Sequence, residues 1–146
     1  MADGGGAMDR DVFESIRYLA ACQDCGAELE CTGVQALVGG RLRWDVESTC
    51  SVCGFALAVC GGDLPSDRRE QLLTEHGAAT LQILDPSGKS VTIMRVLRAE
   101  LGIDLPGAKA VLHRLLNGSY SGTRAEMELL ARKLRASSID AAAVRP

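Results

Sequence analysis

Two cysteine pairs constrain this chain more than any other feature. Cys22-x2-Cys25 and Cys50-x2-Cys53 are separated by 24 residues. A two-residue gap lets both sulfurs of a pair point at one ion, and a hairpin between the pairs brings the second beneath the first. Four thiolates at tetrahedral positions favour zinc. Gly26 and Gly54 each follow the second cysteine of a pair, where a tight knuckle needs a residue without Cβ. The expected metal ligands are therefore Cys22, Cys25, Cys50 and Cys53, holding one Zn2+. Iron would use the same four thiolates, so sequence leaves that alternative open. Disulfides are disfavoured because nothing in the sequence marks secretion. A four-cysteine site is closed to water, and no His-Glu-x-x-His or His-x-Glu signature accompanies it. The ion is read as structural and the protein as non-enzymatic.

The segments around the pairs fit that reading. Ala27 to Val38 and Arg41 to Thr49 are strand candidates joined by Gly39-Gly40, a dipeptide suited to a two-residue hairpin turn. Phe55 to Cys60 is a third. This arrangement resembles a four-cysteine zinc ribbon. Apolar residues at Val12, Phe13, Ile16, Leu19 and Ala20 follow helical spacing, which predicts a helix over Asp9 to Ala21. Cys31 and Cys60 lie outside the paired spacing and are expected as buried structural thiols. Asp63-Leu64-Pro65-Ser66 starts a short helix that carries Leu72 and Leu73 and ends at Gly77, with His76 at its C-terminus. It reads as a link between the two halves of the chain.

Charge divides the chain at the same place. Residues 1–76 carry a net −7 and residues 77–146 a net +4. All six cysteines lie in the first part. The longest apolar run, Phe55 to Cys60, has six residues against about 20 for a membrane helix, so no membrane association is expected. Residues 1–8 lack a basic or apolar leader and read as a disordered tail, which implies a cytoplasmic protein. With 3% aromatic residues, base-stacking platforms are not expected. Arg41, Arg43 and Trp44 share a hairpin, but Asp45 and Glu47 come directly after them. Direct nucleic-acid binding is the weaker reading, and Trp44 is expected to pack across the hairpin.

The second half predicts a strand over Ala79 to Leu84, a helix opened by Ser90 or Lys89 and running to Leu101, closed by Gly102, and a helix with Pro106 in its first turn, ending at Asn117-Gly118. A short strand comes next, near Tyr120. Thr123-x-x-Glu126 is a capping box for a third helix through Arg135, before a last strand over Ile139 to Val144. The expected fold class is α+β: a zinc ribbon with flanking helices over 9–62, a linking helix over 63–78, and a small α/β sandwich of order β-α-α-β-α-β over 79–146.

Val91-x-Ile93-Met94-Arg95-x-Leu97-Arg98 and Gly102-Ile103-x-Leu105-x-x-Ala108-Lys109 resemble the first two helices of the C-terminal domain of the bacterial ribosomal stalk protein, over roughly residues 79–145. In that family these helices present a surface to translational GTPases. At about 100° per residue, Ile93, Leu97 and Leu101 share one helix face, and Val91, Met94, Arg95 and Arg98 another. A strip of two apolar side chains and two arginines, with Lys109 beside it, suits a protein partner with an acidic surface. The resemblance implies a translational GTPase or another ribosome-associated factor as that partner. A regulatory or immunity-type protein, or a protease substrate adaptor, is the alternative within protein recognition. His113 is expected on a helix surface.

Overall fold

The computed structural model describes residues 10–145, so the expected tail over 1–8 lies outside the described residues. The chain divides between His76 and Gly77 into two compact units. The fold is α+β, with four helices and two antiparallel sheets among the described residues.

The first unit is a four-stranded antiparallel sheet in the order β1-β2-β3-β4. Its strands are β1 (Val12–Ala21), β2 (Glu28–Val38), β3 (Arg41–Cys50) and β4 (Ala56–Gly62). β1 corrects the helix expected over Asp9 to Ala21. Val12, Glu14 and Ile16 are buried while Phe13, Ser15 and Arg17 are exposed, the two-residue alternation of a half-buried strand. The pairing of Val12 with Leu37 through to Ala21 with Glu28 fixes it against β2. Val, Phe, Ile and Tyr are good strand formers, and the available partner strand decided between two compatible periods. Gly39 and Gly40 both have positive φ (58° and 77°), so the β2–β3 turn is the glycine hairpin expected.

Helix α1 (Ser66–His76) belongs to this unit, which corrects its reading as a link. Leu72, 1% exposed, packs with Ile16 and Trp44 in one buried cluster. Trp44 lies across Gly33 on the neighbouring strand, so near that a Cβ on Gly33 would overlap the indole ring. Arg68 reaches back from α1 over the Tyr18 ring, 3.7 Å from its centroid. Cys31 is buried as expected, and the Ser48 hydroxyl donates to its sulfur at 3.4 Å. Cys60 is exposed, against expectation, because β4 is an edge strand whose seven residues are all exposed.

The second unit has the expected element order. β5 (Ala79–Ile83) is central in a three-stranded sheet, flanked by β6 (Ser121–Gly122) and β7 (Ala141–Val144). Helices α2 (Ser90–Leu101), α3 (Leu105–Leu116) and α4 (Arg124–Ala136) complete it. Leu81, Ile93, Leu97, Ala108, Ala131 and Leu134 form a fully buried core between helices and sheet. Local chemistry sets the helix ends. The Asp104 carboxylate accepts from the Gly107 N–H at 2.9 Å to cap α3. Thr123 and Glu126 form the reciprocal capping box of α4. Gly102 closes α2 in the left-handed region at φ 63°. Leu101, which shares a helix face with Ile93 and Leu97 by spacing, is exposed at the last turn of α2, and Val96 is buried beside them.

Candidate metal centre and the groove on the second unit

The sheet presents both cysteine pairs at one end. The first occupies the β1–β2 turn and the second the β3–β4 turn, and Cys50 stands opposite Leu29 across β2 and β3. The two turns have the same backbone. In the first, the Cys22 N–H donates to the Ala27 carbonyl (2.7 Å) and the Gly26 N–H to the Cys22 carbonyl (2.8 Å). In the second, Cys50 donates to Phe55 (2.8 Å) and Gly54 to Cys50 (3.0 Å). Gly26 and Gly54 sit at φ 78° and 79°, a conformation that penalises a side chain.

These matched turns aim four sulfurs at one point. Cys22 and Cys53 sulfurs are 3.7 Å apart, Cys25 and Cys50 sulfurs 3.6 Å, and all four lie within 4.8 Å of one another. Metal–sulfur arms of about 2.3 Å in a tetrahedron give sulfur separations of about 3.8 Å, so the cluster fits a metal ion. A disulfide needs about 2.05 Å, and all six cysteines are free. The first cysteine of each pair, Cys22 or Cys50, is buried, and the second, Cys25 or Cys53, is exposed. Leu29 and Cys31 pack beneath the buried pair.

Electrostatics also calls for a cation. The N–H groups of Cys53 and Val52 lower the Cys50 thiol to about 7 against desolvation, with further help from Cys25 and Cys53. The Phe55 N–H pulls the Cys53 thiol down, but desolvation and the three neighbouring sulfurs override it and push it up to about 12. The Ala27 N–H acts likewise on Cys25, whose thiol desolvation and the Cys50 and Cys22 sulfurs nevertheless raise. Four thiolates this close repel strongly, and an ion at their centre removes that repulsion. The set satisfies a four-coordinate ion completely.

The strip expected on the second unit is a groove of about 460 Å³. Val91, Met94, Arg95 and Arg98 line it from α2, as the residue pattern implied. Val91 is 66% exposed, and Met94 is partly buried against the core. Arg95 and Arg98 are exposed and form no ion pair among the described residues. Lys109 is exposed on α3 but lies outside the groove lining. Ala99 on α2, and Ile103 and Leu105 beyond it, are lining residues that the helix pattern missed. Ile103 and Leu105 flank Asp104, so the cap that starts α3 also places these two apolar side chains at the groove. His113 is exposed, as expected.

No helix of the described residues is long and apolar enough to cross a membrane. No protein-family model, curated protein or solved structure matches the chain.

Proposed function

We propose that this is a non-enzymatic zinc-binding interaction protein of the cytoplasm. Its second unit docks a protein with an acidic surface, a translational GTPase or another translation-associated factor. The groove between α2 and the start of α3 carries this reading. It combines an apolar lining (Val91, Met94, Ile103, Leu105) with two arginines that are unpaired among the described residues, the mixture that gives a docking site both buried area and charge selection. The stalk-like residue pattern over 91–109 supports the choice of partner. Lys109, outside the lining, adds to the positive field around the site.

Zinc is the ion of this reading because thiolate-only tetrahedral sites suit it, and its lack of redox chemistry fits a structural role. A small sheet with one helix on it has little core of its own, and metal binding supplies folding energy to such units. Six free thiols fit a reducing compartment.

The test is affinity purification of the full chain from its native cell, read by mass spectrometry, beside an Arg95→Glu/Arg98→Glu variant. Both residues are exposed, so the variant is expected to keep the fold. Recovery of elongation or initiation factors with the parent chain, lost with the variant, is the expected result. Equal recovery with both removes the groove from the account.

A further inference from the structure

The two edges of the first unit's sheet are finished differently. On β1, α1 engages two backbone carbonyls: Gln71 Nε2 donates to the Arg17 carbonyl at 2.9 Å, and His76 Nε2 lies 2.8 Å from the Ser15 carbonyl. β4 is bonded to β3 on one side, and among the described residues no strand pairs with its other side. Every residue of β4 is exposed. Phe55 to Gly62 contains no charged residue and no proline, the devices that commonly blunt an open edge.

The two faces of β4 differ in character. Leu57 and Val59 stand opposite Ser48 and Val46 and are 46% and 49% exposed. They present an apolar stripe. Ala56 and Ala58 stand opposite Thr49 and Glu47 on the other face. Their small side chains leave the exposed Glu47 carboxylate uncovered.

We propose that β4 receives an extended segment of a partner protein as a fifth strand, one in which apolar side chains alternate with Lys or Arg. Main-chain bonds along β4 supply affinity, and the alternating side chains supply specificity. Apolar residues of the incoming strand cover Leu57 and Val59. Its basic residues fall on the other face, two strand spacings (about 9.6 Å) from β3. A Lys or Arg stem lying across Ala56 and Ala58 spans that gap to Glu47. The net −7 of residues 1–76 draws a basic segment in and repels an acidic one. A second copy of β4 fits less well, since it brings no cation to Glu47 and sets two acidic units side by side. This site is independent of the groove on the second unit.

The probe is a synthetic peptide, acetyl-Lys-Val-Lys-Ile-Lys-Val-Lys-amide, titrated into the metal-bound full chain at fixed ionic strength. Amide hydrogen exchange of the Ala56–Gly62 segment is read in the same samples. Binding is expected to slow exchange in β4 and leave the α2 amides unchanged. A counterpart N-methylated at every residue keeps the charges and side chains but loses the main-chain donors, and it is expected to bind at least about tenfold more weakly. Glu47→Gln is expected to weaken the parent peptide by roughly two- to fivefold. The proposal is overturned if the N-methylated peptide binds equally well, or if β4 exchange does not change on binding. It is also overturned if β4 is protected without peptide while the chain sediments as a dimer, because a second copy then holds the edge.

Discussion

Gly33→Ala is the substitution that most sharply tests the packing of the first unit. In an ordinary strand, replacing glycine by alanine stabilises by roughly 0.5–1 kcal/mol, because the unfolded chain loses freedom. At Gly33 the new methyl would occupy the space of the Trp44 ring. Two responses bound the cost. If the indole shifts but stays buried, overpacking costs about 1–3 kcal/mol. If it leaves the cluster with Ile16 and Leu72, the loss approaches the roughly 3–5 kcal/mol of a large aromatic truncation. The expected net effect is a destabilisation of about 2 kcal/mol, opposite in sign to the ordinary strand value. Trp44 is the sole tryptophan and is 5% exposed, so its fluorescence reports this unit alone. Urea unfolding of the metal-bound chain should show a lower midpoint and red-shifted native emission. Trp44→Leu makes room for the methyl, so Gly33→Ala is expected to cost less in that background, read by hydrogen exchange of β2 and β3 amides. An unchanged or raised midpoint in the single variant refutes the close approach of ring and backbone, as does an undiminished cost when Trp44→Leu is already in place.

Three further outcomes are expected from the same geometry. Leu72→Ala removes the α1 side chain that fills the Ile16–Trp44 cluster, and should cost about 2–5 kcal/mol with a red shift of Trp44 emission; a neutral result would return α1 to the role of a linker. Thr123→Ala breaks the α4 capping box and should cost the second unit about 1–2 kcal/mol in thermal unfolding while leaving Trp44 emission unchanged. Metal affinity should rise with pH, because Cys53, held near 12, and Cys25, also raised, are protonated at neutral pH and must release those protons to bind. These two protons alone correspond to at least about 100-fold in apparent affinity per pH unit, measured by chelator competition over about pH 6 to 8. A slope clearly below about 100-fold per unit would mean that these two sulfurs are not both ligands.

Much of this architecture was legible because local chemistry and tertiary structure agree. The cysteine spacing, the Gly39-Gly40 turn, the Thr123–Glu126 box and the end of α2 at Gly102 each rest on a few adjacent residues. β1 was not legible. Val12, Ile16 and Ala20 satisfy both a helical and a strand period, and Phe13 and Leu19, which tipped the pattern towards helix, are exposed. Only the long-range pairing with β2 resolves the choice. Cys60 misled for a related reason. An apolar run suggests a buried strand, but β4 lies at the sheet edge, and strand order is a property of the whole unit. Within the groove, four of the five α2 lining residues were readable from helical spacing, whereas Ile103 and Leu105 required knowing how the chain turns between α2 and α3.

Four cysteines from two matched turns are placed to hold one metal ion. X-ray absorption at the metal edge of the purified, reduced full chain, with metal content measured on the same sample, tests this most directly. One zinc per chain with four sulfur neighbours at about 2.3 Å is expected. Nitrogen or oxygen in the inner sphere, or a folded chain free of metal with bridged sulfurs, would contradict it.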